Sequence, residues 1–113
     1  MDCLIEDFYK EGQRGDEKKF DGNKLMWDLI PWDVLEEVVK AYTHGAKKYG
    51  ANCWQTVPDA VPRYEAAMFR HFVAYKKGET YSDDGLRHLA QVAWNAIALC
   101  WFDMHSIPEK EET

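Results

Sequence analysis

The spacing of apolar and polar positions divides the chain into three helical segments joined by short loops. In the first, from about Pro31 to Tyr49, Leu35, Val38, Tyr42, Gly45 or Ala46, and Tyr49 keep a helical period. Pro31 suits a first helical turn, Asp33 followed by Glu36 resembles a capping box, and Gly50 predicts the stop. A loop from Ala51 to Val61 follows, holding Asn52, Trp54 and Pro58. The second segment runs from about Pro62 to Lys77 and stops at Gly78. Its apolar stripe is Tyr64, Met68, His71 and Tyr75, and Arg63, Arg70 and Lys77 form a basic stripe beside it. The third opens after a loop from Glu79 to Asp84, with Ser82 or Asp83 as its cap, and ends between Asp103 and His105.

The third segment differs from the others because it carries no charge from Leu89 to Phe102. A helix apolar on every side belongs in a core or between subunits. His88, Gln91 and Asn95 interrupt it at i, i+3 and i+7, on one stripe. Buried polar groups need partners. A bound polar ligand would supply them, and so would a polar network across a subunit interface.

Three helices with short loops predict an all-α fold, a small three-helix unit with an irregular N-terminal segment. The third helix has more apolar surface than two partners of this length can cover. The expectation is a helical homo-oligomer, a dimer or a tetramer, with that helix near the interface. Residues 1–19 read as a flexible N-terminal arm, residues 20–107 as a single domain, and residues 108–113 as an acidic tail.

Composition narrows the function. A hydrophobic content of 46% is enough for a core, and an aromatic content of 14% supplies flat rings. The net charge of -6 argues against a nucleic-acid polymer as partner, so any phosphate site must be a local cluster of cations. No charge-free apolar run is long enough to span a bilayer, and the N-terminus has no signal-peptide pattern, so neither membrane nor export is expected. Cys3, Cys53 and Cys100 are widely spaced, which fits a reducing cytoplasm and gives no zinc spacing.

Three clusters could carry chemistry. Lys47 and Lys48 close the first helix, where they offset the helix dipole or contact phosphate with Tyr49 packed behind them. Gly45, inside that helix, marks either a close helix crossing or the close approach of a ligand. Arg70 offers a planar fork of donors for phosphate, and His71 follows it. Asp83 and Asp84 precede His88, Gln91 and Asn95. Asp84 lies four residues before His88 and could orient its imidazole, while the two amides can read base edges. Trp54 either pins its loop to the core or stacks on a base.

Several of these residues also occur in order in a known family. Lys19-Phe20-Asp21, Asp28-Leu29-Ile30-Pro31, the run GAKKYG with Asn52 and Trp54, then Arg70-His71, then GLRHLAQVAWN resemble a phage and prophage family. It is the N-terminal domain of dATP/dGTP diphosphohydrolases, and the resemblance spans roughly residues 18 to 102. The family is similar, at a distance, to the all-α MazG-type nucleotide pyrophosphohydrolases. Those are helical oligomers that hold Mg²⁺ on Glu-x-x-Glu and Glu-x-x-Asp pairs and cut nucleoside triphosphates between the α and β phosphates. This chain departs from that pattern. Glu37 is followed three residues later by Lys40, and Glu36 by Val39, while His88 and Gln91 stand where Glu and Asp are implied.

Two functional expectations follow. The first is sequestration without hydrolysis, in the manner of a phage anti-CBASS-like sponge acting in the host cytoplasm. A phosphorylated nucleotide, most of all a cyclic di- or oligonucleotide, would lie against Lys47, Lys48, Tyr49, Trp54, Arg70, His71, His88, Gln91 and Asn95, with no metal or cofactor. The alternative is a Mg²⁺- or Mn²⁺-dependent dATP/dGTP-type diphosphohydrolase with Glu36, Glu37 and Asp84 as catalytic carboxylates.

Overall fold

The computed structural model describes residues 22–106, and the expected arm, residues 1–19, and acidic tail, residues 108–113, lie outside them. The described residues fall into two compact units that meet at the Ile30–Pro31 link. In the first, Trp27–Leu29 form one turn of 3-10 helix, closed by the Ile30 N–H donating to Trp27 O at 3.2 Å. The second holds the three helices, α1 (Trp32–Tyr49), α2 (Ala60–Lys76) and α3 (His88–His105).

Helix α1 forms because its apolar positions recur on one face, burying Val38 and Ala41. Pro31 caps its start, and its carbonyl accepts from the Val34 and Leu35 N–H groups at 3.0 Å each. The expected capping box does not form, because the helix already begins at Trp32 and Asp33 accepts from the adjacent Val34 N–H at 2.9 Å. Gly50 ends the helix as expected. Its φ of 107° favours glycine, and a Cβ there would lie 2.9 Å from Cys53 Sγ. Asn52 opens the next loop at a φ of 63°, and Cys53–Thr56 form a second 3-10 turn.

Helix α2 begins at Ala60, two residues before the expected Pro62. Pro62 fits there because the first four N–H groups of a helix have no intrahelical partner, so a missing one leaves nothing broken. Gly78 then turns at a φ of 102°, and the Glu79 N–H reaches back to Ala74 O at 3.1 Å.

Helix α3 begins at His88, later than the expected cap at Ser82 or Asp83 implies. The intervening residues make a tight reversal instead. Tyr81 and Arg87 pair as an antiparallel bridge, the Ser82 N–H donates to Leu86 O at 2.8 Å, and Gly85 takes a φ of 83°. Asp84 therefore sits in a turn and shares no helix face with His88.

Helices α2 and α3 pack along each other, α1 lies on α3, and α1 and α2 scarcely touch. The middle of the fold is a cluster of rings. Trp54 lies 5.9 Å from Tyr42, 6.1 Å from Trp94, 5.4 Å from Trp101 and 6.2 Å from Phe102, mostly edge to face. Tyr64 stands 5.2 Å from Trp94 and donates its hydroxyl to Trp54 O at 2.9 Å. Burial raises the Tyr42 and Tyr64 phenols above the ordinary value of 10.0, so both stay protonated donors. The charge-free helix α3 is only partly covered. Ala98 is fully buried, but Leu89, Ile97 and Met104 remain exposed.

Candidate functional site

Because α1 and α2 diverge, a cleft of about 1050 Å³ opens between them, floored by the 3-10 turn and Trp94. This is the size of a small-molecule site, typically ~300–1,000 Å³. Each wall is a helical stripe. Helix α1 contributes Tyr42, Gly45, Ala46 and Tyr49, which are the i, i+3, i+4 and i+7 positions of one face. Helix α2 contributes Arg63, Ala66, Ala67 and Arg70 in the same spacing. One wall is thus aromatic, small, small, aromatic, and the other is cation, small, small, cation. Asn52 and Trp54 line the end of the cleft.

The chemistry of the lining is that of a nucleotide site. Tyr49 is 70% exposed, so its ring is free to stack. Two guanidinium groups on one wall suit an extended polyanion better than a single charge. Arg63 donates to Pro58 O at 3.2 Å, which draws its head toward the loop. Trp54 takes both of the roles considered for it, since it is anchored in the ring cluster and also lines the cleft.

Of the sequence-predicted residues, the cleft gathers Tyr49, Trp54 and Arg70. Lys47 and Lys48 stay outside its lining on the last turn of α1, with Lys48 Nζ 5.2 Å from the centre of the Tyr49 ring. His88, Gln91 and Asn95 also lie outside the lining, and each bonds to protein. Gln91 Nε2 donates to Ser82 Oγ at 2.8 Å, and Asn95 Nδ2 donates to the Gln91 carbonyl of its own helix at 2.7 Å. Among the described residues, the Asn95 side-chain oxygen is left buried without a hydrogen-bond partner.

His71 and His88 meet directly where α2 faces the start of α3. Their Nδ1 atoms are 2.9 Å apart, so one proton is shared between them. Glu79 Oε1 faces His88 Nε2 at 3.5 Å, beyond a well-formed hydrogen bond. In the His71–His88 contact one ring donates through Nδ1 and the other accepts, as their tautomers dictate. Burial, followed by His88 and Arg70, lowers the His71 pKa below 6.5, and Asp84 partly opposes them. The turn extends this polar cluster. Asp84 accepts from Ser82 Oγ, and His44 Nε2 stands 3.5 Å from its other oxygen. The Ser82 bond first, with lesser help from Leu86 and His44, lowers the Asp84 carboxyl below 3.8.

A resident Mg²⁺ or Mn²⁺ would need several carboxylates around one point. Glu37 is committed to Lys40 at 2.8 Å and stands 3.9 Å from Arg87, while Glu36 is exposed on the α1 surface. Asp84 is engaged with Ser82 and His44. Among the described residues no three His, Cys, Asp or Glu side chains converge as a metal site. The carboxylates as placed do not fit the metal.

Sequence reasoning assigned no role to Tyr42, Arg63, Tyr64 or Trp94 at the cleft, nor to His44 or Glu79 at the polar cluster. A signal for the cleft existed in the seven-residue spacing that Tyr42 and Tyr49 share with Arg63 and Arg70.

Comparison with known proteins places the chain in a class. It belongs to the family of dATP/dGTP diphosphohydrolase N-terminal domains, whose model matches residues 14–112. A dATP/dGTP diphosphohydrolase of Salmonella phage PMBT28 is 32% identical over 84 residues, covering 74% of this chain and 28% of that protein. The chain thus aligns with less than a third of the relative's length. No solved structure matches. Both names are those of nucleotide hydrolases, the alternative of the two expectations above, rather than of a sequestering protein. No helix among the described residues is long and apolar enough to cross a membrane.

Proposed function

We propose that this domain binds a purine deoxynucleoside triphosphate in the cleft between α1 and α2, in the service of a dATP/dGTP diphosphohydrolase. The observation that carries this reading is the pairing of an aromatic wall, Tyr42 and Tyr49, with a cationic wall, Arg63 and Arg70. The base stacks on the tyrosine side, with Trp54 beneath it. The phosphates lie along the arginines. In a diphosphohydrolase reaction water adds to the α phosphorus and the bond to the leaving diphosphate breaks. Fixed guanidinium groups hold the charge that collects on that leaving group. The family and the phage relative support the nucleotide class. No step is assigned to a metal, because the carboxylates of the described residues do not gather around one point.

Sequestration of a cyclic nucleotide is the second reading, and one observation favours it. Lys40 neutralises Glu37 at the position where a second acidic residue would complete a metal pair. One experiment covers both. The protein is mixed with dATP, dGTP or a cyclic dinucleotide, with and without Mn²⁺, then melted, and the nucleotide is recovered and chromatographed. A melting point raised by dATP or dGTP supports the first reading, and monophosphate with diphosphate in the recovered nucleotide assigns hydrolysis to the domain as well. A response to the cyclic dinucleotide alone, returned intact, supports the second. No response to any of them contradicts both.

The uncovered apolar side of α3 also suits the homo-oligomer expected from the sequence. A sedimentation mass above the 13.2 kDa of one chain is the outcome that supports it.

A further inference from the structure

Gly45 stands inside α1, one turn before its last residue, where glycine is a poor helix former. Such a glycine is commonly retained because a neighbouring backbone or side chain comes too close for a Cβ. Here a Cβ built on Gly45 would meet nothing within 4 Å. Among the described residues, the helix crossing considered for this residue is therefore absent. The space its missing side chain leaves opens into the cleft, and Gly45 is part of the lining. Ala46 beside it and Ala66 and Ala67 on the opposite wall are also small, although α1 and α2 scarcely touch. Small residues on two facing helices that do not pack together keep a space open between them.

We infer that Gly45 is a specificity-determining residue of the cleft, setting the width of a slot that admits a purine ring against the α1 backbone. This deepens the reading proposed above and rests on it. The tyrosines stand one turn to either side of the slot, and Arg63 and Arg70 stand one turn to either side of the facing alanines. A ring inserted at the level of Gly45 thus meets flat aromatic edges on one wall. Its phosphate chain reaches a cation in either direction along the other. A side chain at residue 45 would project into the slot itself. It would cost a two-ring purine more than a one-ring pyrimidine, because the larger ring reaches further toward the backbone.

The test is equilibrium binding of dATP, dGTP, dCTP and dTTP to the wild-type protein, Gly45→Ala and Gly45→Val, with melting curves and far-ultraviolet circular dichroism for each. Gly45→Ala should melt about 4–8 °C higher than wild type, because alanine suits the helix and its Cβ enters open space. It should nevertheless bind dATP and dGTP about tenfold or more weakly. The pyrimidine nucleotides should change less, and Gly45→Val should extend the loss. Ala66→Leu, which narrows the slot from the other wall, should reproduce it. Purine binding equal to wild type in a folded Gly45→Ala or Ala66→Leu protein overturns the inference and leaves the cleft reading standing. A wild-type protein that binds none of the four nucleotides overturns both.

Discussion

The Nδ1 atoms of His71 and His88 stand 2.9 Å apart across the α2–α3 interface and hold a single proton between them. A second proton at that contact would set two N–H groups against each other. One Nδ1 must therefore be left bare to accept, so the contact does not admit two imidazolium rings.

A pH dependence of stability follows. The folded-state pKa of His71 is lowered from 6.5, first by burial and then by His88 and Arg70. Below 6.5 the unfolded chain thus takes up protons that the folded chain resists, and stability falls as pH falls. Urea melts from about pH 7.5 to about pH 5.5 should show declining stability in the wild type and a flatter profile in His71→Gln. Identical slopes in the two proteins contradict the assignment.

Arg70 and the Lys47–Lys48 pair should separate in a binding assay. Arg70 lines the cleft, and the two lysines do not. A charge-assisted hydrogen bond to phosphate contributes roughly 1.5–3 kcal/mol. Arg70→Ala should therefore weaken dATP or dGTP binding by about ten- to hundredfold. The double change Lys47→Ala, Lys48→Ala should cost only a few-fold, most of it screened by added salt. Calorimetric titration at two salt concentrations measures both, and a larger loss from the lysine pair would move the phosphates to the end of α1.

Trp54 has two roles, and substitution can resolve them. Its ring touches Tyr42, Trp94, Trp101 and Phe102. Trp54→Ala should destabilise the domain by about 2–4 kcal/mol, near the lower end of large core truncations because the ring is half-buried. Trp54→Phe should keep most of the stability while losing part of the affinity for the nucleotide. Denaturant melts and binding curves on the same two variants provide the comparison.

The glycines bounding this part of α1 should respond in opposite ways. Gly50 has a φ of 107° and lies where a Cβ would approach Cys53 Sγ at 2.9 Å. Gly50→Ala should cost about 1–3 kcal/mol in a urea melt. Gly45→Ala should instead raise stability by about 1 kcal/mol, because its Cβ meets nothing within 4 Å and alanine favours the helix.

How much of this was legible in the sequence depended on how local the cause was. The α1 stop at Gly50 and the end of α3 near His105 follow from turn and capping chemistry within a few residues. The start of α3 did not, because Ser82-Asp83-Asp84-Gly85 reads equally well as a cap or as a reversal. Pairing of Tyr81 with Arg87 decided for the reversal, and it moved Asp84 off the helix toward His44. The polar stripe of His88, Gln91 and Asn95 was visible, but its partners were not. They lie on α2, in the turn and in the backbone of the helix itself. The cleft was the least legible feature. It exists because two helices diverge around a cluster of rings, which no single segment records. Arg70 was chosen for its chemistry, but Arg63 gained a role only when the walls were placed.

The central claim is that the ligand occupies the space between α1 and α2. Titration of isotope-labelled protein with dATP or dGTP, followed by amide chemical shifts, tests it most directly. The account predicts saturable shifts concentrated at Tyr42–Trp54 and Arg63–Arg70. Shifts confined to the face of α3 that carries Gln91 and Asn95, or no shifts at millimolar nucleotide, would contradict it.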